Sequence, residues 1–241
     1  MEAIMQWKYR NVYTPQSLLQ QPGMIVKNDK LRCPILNDNF KDLVNNPLVF
    51  VTGDGHTLPS EVKAFEKWKL PHDVYCVNRS LLFFERPVDH WAAIDVEEAV
   101  WFSENLRENM IGTHPIWRHT IGEGAYMYDV WWERVFAFEN DYQRRVWIGN
   151  TGYFAVLTAV EMGYSKIVLA GMPLDTERHW YQPEGTPGPQ WNPLCQEQWT
   201  DYRTTFNGDC NIRSMGGKTA EIFGLATKEW AEDVGTVRKT K

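Results

Sequence analysis

The chain has 241 residues, enough for one sizeable core with an appendage, and two full domains are not expected. Its 25 Lys and Arg against 31 Asp and Glu give a formal net charge of −6, so no basic surplus is available to neutralise a duplex and nucleic acid is disfavoured as the main partner. The 43% hydrophobic and 23% charged shares exclude a disordered or fibrous chain, and no run approaches the ~18 to 20 apolar residues of a membrane span.

The opening stretch MEAIMQWKYRNVY lacks the apolar centre of a secretory signal, so the expected location is cytoplasmic. Residues 1–46 read as a polar N-terminal appendage rich in Asn, Gln and Pro, with a short strand at 24–26. At Pro47 the composition changes. LVFVT at 48–52 is the continuous apolar run of a strand buried on both faces. In the GDGHTLPSE that follows, Pro59 suits a first helical turn with Thr57 or Leu58 near the cap, and Val62, Phe65 and Trp68 recur at intervals of three. DVYCVN at 73–78 and HWAAID at 90–95 predict a second and third strand, and 97–109 a helix. Between 112 and 145, Trp, Tyr and Gly alternate without a period, and no element is assigned.

In IGNTGYFAVLTAVEMGYSKIVLAGMPLD, Asn150 or Thr151 caps a helix running to Met162, Gly163 stops it, and a strand follows at 166–170. That helix is apolar nearly all round and is expected to be buried. Residues 183–193 form a Gly- and Pro-rich loop of lid length, 194–206 a helix, and the remainder a compact tail. Strands alternating with helices predict an α/β, Rossmann-like domain over 47–241: a mostly parallel sheet with helices on both faces. The four cysteines, Cys33, Cys76, Cys195 and Cys210, show neither paired nor metal-ligand spacing, so free, mostly buried thiols are expected. The 12 Trp supply buried area or stacking platforms, and Trp131 with Trp132 fits either a homo-oligomer interface or simple core.

Ligands of such sheets gather at the carboxyl ends of the strands, where three turns carry suitable residues. Gly53-Asp54-Gly55-His56 begins like a dinucleotide fingerprint, with Leu58 where a third glycine would stand; a tight turn is its other reading. In Asn78-Arg79-Ser80 the Asn78 carboxamide can meet a base or ribose edge, or cap a helix. Thr151 and Gly152 open a helix whose N-terminus suits phosphate or carboxylate, or serve the cap alone. His179, beside Trp180 and Tyr181, is the candidate general base, or a half-exposed loop residue; His56 could contact phosphate or take the base role. Asp175 could orient a histidine or bind a sugar hydroxyl. With Asp54 it could hold a metal, but no ligand motif accompanies the pair and no metal site is assigned. His72, His90, His114 and His119 read as structural. Ser214 lacks the context of a hydrolase elbow, and Arg203 and Arg213 could close on an anion.

The ordered segments VFVTGDGHTLPSE, DVYCVNRS and NTGYFAVLTAVEMGYSKIVLAGMPLD resemble the bacterial CMP-sialic-acid-dependent sialyltransferases and the related motility-accessory and pterin-diphosphokinase-like Rossmann proteins. The likeness spans roughly residues 48–175, and the tail RSMGGKTAEIFGLATKEWAED is similar to phage-encoded members. It implies that Gly53, Asp54 and Gly55 approach nucleotide phosphates, with Asp54 in place of the usual Asn. It also implies that Asn78, with Arg79 beside it, holds the base or ribose, and that Thr151 and Gly152 line the nucleotide site. His179 and Tyr181 stand nearer the last matched strand than the transferases' histidine base and phosphate-steadying tyrosines do. The function so implied is a metal-independent, nucleotide-sugar-dependent glycosyltransferase acting on an acceptor hydroxyl, with no cofactor beyond that substrate. The alternatives are an Mg²⁺-dependent pyrophosphoryl transferase using Asp54 and Asp175, and a nucleotide-binding or sequestering protein without catalysis.

Overall fold

The computed structural model describes residues 30–32, 43–94, 117–121, 130–135, 150–200 apart from 191, 193, 194 and 198, and 211–233. The strand expected at 24–26, the helix at 97–109, the residues from 201 on of the helix at 194–206, and Cys33, Cys210, His114 and Arg203 lie outside the described residues. In chain order the elements are β1 (Lys30–Arg32), β2 (Leu48–Thr52), α1 (Leu58–Glu66), β3 (Asp73–Val77), a 3-10 helix (Asn78–Phe83), β4 (His90–Ala92), β5 (Trp117–Ile121) and β6 (Val130–Val135). They continue with α2 (Thr151–Glu161), β7 (Lys166–Ala170), β8 (Ile212–Ser214), α3 (Gly217–Phe223) and α4 (Lys228–Glu232).

Among the described residues the strands form one eight-stranded sheet in the order β1-β6-β5-β4-β3-β2-β7-β8. Every neighbouring pair from β2 to β8 is parallel, and β1 alone is antiparallel, against β6. The chain is therefore an α/β protein with a Rossmann-like parallel sheet. Alternation along β2 divides the core between two faces. Leu48 and Phe50 meet Leu58, Val62 and Phe65 of α1, with the Phe50 and Phe65 rings stacked at 3.9 Å. Val49 and Val51 point the other way, among Phe154, Ala155 and Ala159 of α2. Helices on both faces explain why β2, β3 and β7 are buried at every position.

β5 and β6 fall where the sequence had no readable period. Their segments, WRHTI and VWWERV, mix charge with aromatics, and it is parallel pairing with β4 and with each other that makes them strands. The third strand is shorter than expected and ends at Ala92. The appendage is partly integrated: Lys30–Arg32 forms the sheet edge, and Leu43 is buried in the core. Trp131 and Trp132 lie in β6.

α2 is buried from Thr151 to Ala159, as its apolar composition requires, and Asn150 caps it by accepting the Tyr153 N–H at 3.1 Å. Gly163, at φ +88°, takes the left-handed conformation that ends the helix. Near the amino ends of the strands a buried polar chain replaces apolar packing. His90 and His119, treated as structural from the sequence, contact each other at 3.0 Å from Nδ1 to Nε2, and His90 Nε2 lies 2.7 Å from the Tyr164 hydroxyl. Tyr164 donates to Asp73 Oδ2 at 2.7 Å, and Asp73 also accepts from Asn45 N–H and Asn46 Nδ2. Burial holds both histidines well below the usual imidazole range, His90 down to about 4.

Burial also pushes the Cys76 thiol up to about 12 and raises that of Cys195; both are free thiols, as expected. Among the described residues, no helix is long and apolar enough to cross a membrane.

Candidate functional site

After β2 the chain moves across one side of the sheet to β6, and after α2 it returns to β7 on the other side of β2. β2 and β7 therefore bracket the point where the winding reverses, and the loops leaving their carboxyl ends part there. A cleft of about 130 Å³ opens at this edge. Gly53, Asp54 and Gly55 line it after β2, Val77 and Asn78 after β3, Asn150, Thr151 and Gly152 at the start of α2, and Gly171 to Asp175 after β7. The three turns singled out in the sequence thus meet at one rim. Glu177, His179, Pro189, Asn192 and Trp199 complete the lining.

The rim is tied together by short polar links. The Ser80 hydroxyl donates to the Thr52 carbonyl at 2.8 Å and accepts the Val77 N–H at 2.9 Å, which locks the ends of β2 and β3. Asp54 Oδ2 accepts the Arg79 backbone N–H at 3.2 Å. The two glycines that line the cleft also join the β2 and β7 loops. Gly53 and Gly55 N–H groups donate to the Ala170 and Gly171 carbonyls at 2.8 and 2.7 Å, so those amides are engaged within the protein and are not donors for phosphate. A Cβ at Gly55 would lie 2.3 Å from Pro173 Cδ; close packing of the β2 and β7 loops is what requires glycine there.

Asn78, the first residue after β3, sits in the left-handed region at φ +49°, a conformation asparagine tolerates, and its carbonyl accepts the Trp91 indole N–H at 3.0 Å. Its Oδ1 is buried without a hydrogen-bond partner. Leu174, at φ +54°, is a branched residue in the same region, a strain of about 1–3 kcal/mol at the cleft wall.

His179 is held by the loop after β2. Its Nδ1 lies 3.2 Å from the Asp54 carbonyl, which also accepts the Trp180 N–H at 3.0 Å, and His179 pairs with Gly55 in an isolated antiparallel bridge. A carbonyl can only accept, so this contact places the proton on Nδ1 and the acceptor lone pair on Nε2. The Tyr181 ring stacks on the imidazole at 5.6 Å and 3°, and the Arg79 guanidinium lies 5.1 Å over the Tyr181 ring. Tyr181 and Arg79 are not among the cleft-lining residues; Tyr181 stacks against the imidazole, and Arg79 lies over Tyr181. Asp175 lines the cleft, but its histidine neighbour is His56, at 3.8 Å and half-exposed, and His56 is not part of the lining.

The loop at 183–193 is exposed around Pro183–Gly185, while Gly188 and Pro189 are buried. Asn192 Nδ2 donates to the Asp175 carbonyl at 2.5 Å. The segment expected as a lid therefore supplies one wall. Ser214 is occupied structurally, bonded to Thr219 Oγ1 at 2.8 Å, and Arg213 lies over the Trp230 ring.

Two residues escaped the sequence reading. Glu61 is buried on the inner face of α1 and accepts the Gly171 N–H at 2.7 Å, bracing the loop after β7; burial raises its pKa. Its position among Leu58, Val62 and Phe65, at helical spacing, was the available signal. Trp199 forms part of the cleft wall with no local motif to announce it. Among the described residues no group of three or more His, Cys, Asp and Glu side chains is gathered as a metal cluster.

Comparison with protein-family models, with curated proteins and with solved structures finds no match to this chain. Its class rests on its own architecture: an α/β, Rossmann-like protein with a cleft at the switch point of the sheet.

Proposed function

We propose that this chain is a transferase that binds a nucleotide-activated sugar at the switch-point cleft and passes the glycosyl group to an acceptor hydroxyl. The observation that carries this reading is the placement of His179: it lines the cleft, and its contact with the Asp54 carbonyl leaves Nε2 as the proton acceptor. The hydroxyl proton passes to Nε2 as the oxygen bonds to the anomeric carbon. The bond from that carbon to the phosphate oxygen breaks, and its electron pair leaves with the phosphate. Stacking on Tyr181 holds the ring and favours the imidazolium that forms. The cleft, at about 130 Å³, is smaller than the roughly 300–1,000 Å³ of sites that enclose a whole drug-sized ligand. One ring of the substrate occupies it, and the remainder lies along the open rim.

Thermal-shift and titration screens against nucleotides and nucleotide-sugars test the binding half of this reading, since a ligand at about a hundredfold over its Kd adds roughly 2.7 kcal/mol. His179→Ala should lower turnover by about 10²–10⁴ while leaving nucleotide affinity nearly unchanged. Undiminished turnover removes His179 from the mechanism. Binding without transfer across a broad acceptor panel identifies a sequestering protein instead.

One observation favours a second reading. Asp54 and Asp175 line the same cleft, and a phosphate beside two carboxylates calls for a divalent cation, as in Mg²⁺-dependent pyrophosphoryl transfer. Activity that survives EDTA eliminates this alternative.

A further inference from the structure

Trp199 has 0% exposure, lines the cleft, and its indole Nε1 has no hydrogen-bond partner. A buried indole N–H normally finds an acceptor, and one left without is an unfavourable feature that needs a reason. The ring is not loose: it meets the Tyr153 ring edge-on at 5.4 Å and 86°, and the Phe223 ring at 5.7 Å and 81°. Its orientation is thus set by the core before any ligand arrives.

The start of α2 belongs to the same lining. Of the first-turn donors, Tyr153 N–H is taken by the Asn150 side chain and Phe154 N–H by the Asn150 carbonyl. Thr151 and Gly152 lie ahead of them at the positive end of an 11-residue helix. Asp54, Asp175 and Glu177 contribute acceptors and negative charge elsewhere on the lining. An acidic group in the cleft is repelled by those carboxylates and drawn to the Trp199 indole N–H and to the positive end of α2.

We propose that Trp199 is a ligand-binding residue whose indole N–H donates to an anionic oxygen, of phosphate or carboxylate, carried by the single ring that the cleft accommodates. This deepens the reading of the cleft as a sugar-binding site and rests on it. The ligand class is a monosaccharide-sized ring with one acidic group at the Trp199 end and hydroxyls toward the carboxylates.

The test uses the full chain, wild type and Trp199→Phe, titrated with ribose, ribose 5-phosphate and glucuronate. The ratio of acidic-sugar to ribose affinity is the readout, because a general loosening of the fold affects all three alike. In the wild type an acidic probe should bind more tightly than ribose; ribose 5-phosphate or glucuronate as the better one identifies phosphate or carboxylate. The ratio should fall about tenfold in Trp199→Phe, the scale of one hydrogen bond to a charged group. In ¹⁵N-labelled wild type, the indole resonance missing from the variant should move with the acidic probe and not with ribose. That spectrum decides the matter even if the variant fails to fold, the resonance then being assigned by triple-resonance methods. An unchanged ratio, an indole signal that stays put while the probes bind, or acidic sugars binding no better than ribose overturns the role of Trp199. Wild type that binds no nucleotide, nucleotide-sugar or sugar overturns the cleft reading and this inference with it.

Discussion

The buried pair His90 and His119 makes stability depend on pH in a calculable way. In the unfolded chain an imidazole takes up a proton near pH 6.5, whereas burial keeps His90 neutral in the fold down to about pH 4. Above about pH 6.5 both states are neutral and the fold loses nothing. As pH falls from 6.5 towards 4 only the unfolded state gains the proton, so the folded state is penalised by up to about 3 kcal/mol, of which about 2 kcal/mol is felt by pH 5. His119 acts in the same direction. Glu61 and Asp89 act oppositely, because burial raises their carboxyl pKa values and the folded state binds protons more readily there. A difference measurement separates these contributions. Urea unfolding followed by circular dichroism at pH 7.5, 6 and 5 should show wild type losing about 2 kcal/mol more than His90→Gln between the first and last condition. Equal losses in the two proteins would refute the account of a histidine held neutral by burial.

Gly55→Ala places a Cβ where Pro173 Cδ lies 2.3 Å away, so the β2 and β7 loops must separate; stability should fall by about 1–3 kcal/mol in denaturant, and an unaltered midpoint contradicts the packing argument. Lys69, exposed at φ +55° after α1, should gain about 1 kcal/mol on replacement by Gly, read as a rise in Tm of about 2–4 °C; a lower Tm shows that the left-handed strain is not felt there. Tyr181→Phe keeps the ring stacked on His179 and should retain turnover, whereas Tyr181→Ala should lose about tenfold. A Phe variant as slow as the Ala variant would return the Tyr181 hydroxyl to direct contact with substrate.

Much of the fold was legible because the signals were local. The apolar run at Leu48–Thr52, the Pro59 turn and the all-round apolar α2 with its Asn150 cap and Gly163 stop each state their structure within a few residues. β5 and β6 were not, since WRHTI and VWWERV have no strand period of their own and depend on β4 for pairing. In the site, the three ligand-type turns were readable as residue types. Their internal bonds were not: which amides are engaged, and which histidine Asp175 faces, depend on chain segments more than a hundred residues apart.

What the sequence determined by itself was the alternation of strands and helices, the faces to be buried and the small set of polar residues placed where strands end. Periodicity and capping act over one or two turns of chain, so they survive in a linear reading. Only the tertiary structure decided that β7 returns beside β2 and that Gly53 and Gly55 face the Gly171–Pro173 loop. It also decided that Tyr181 supports His179 from behind and that Trp199 closes the cleft wall. Those are contacts between distant segments, fixed by the shape in which the two faces of the sheet pack, and no spacing along the chain encodes them.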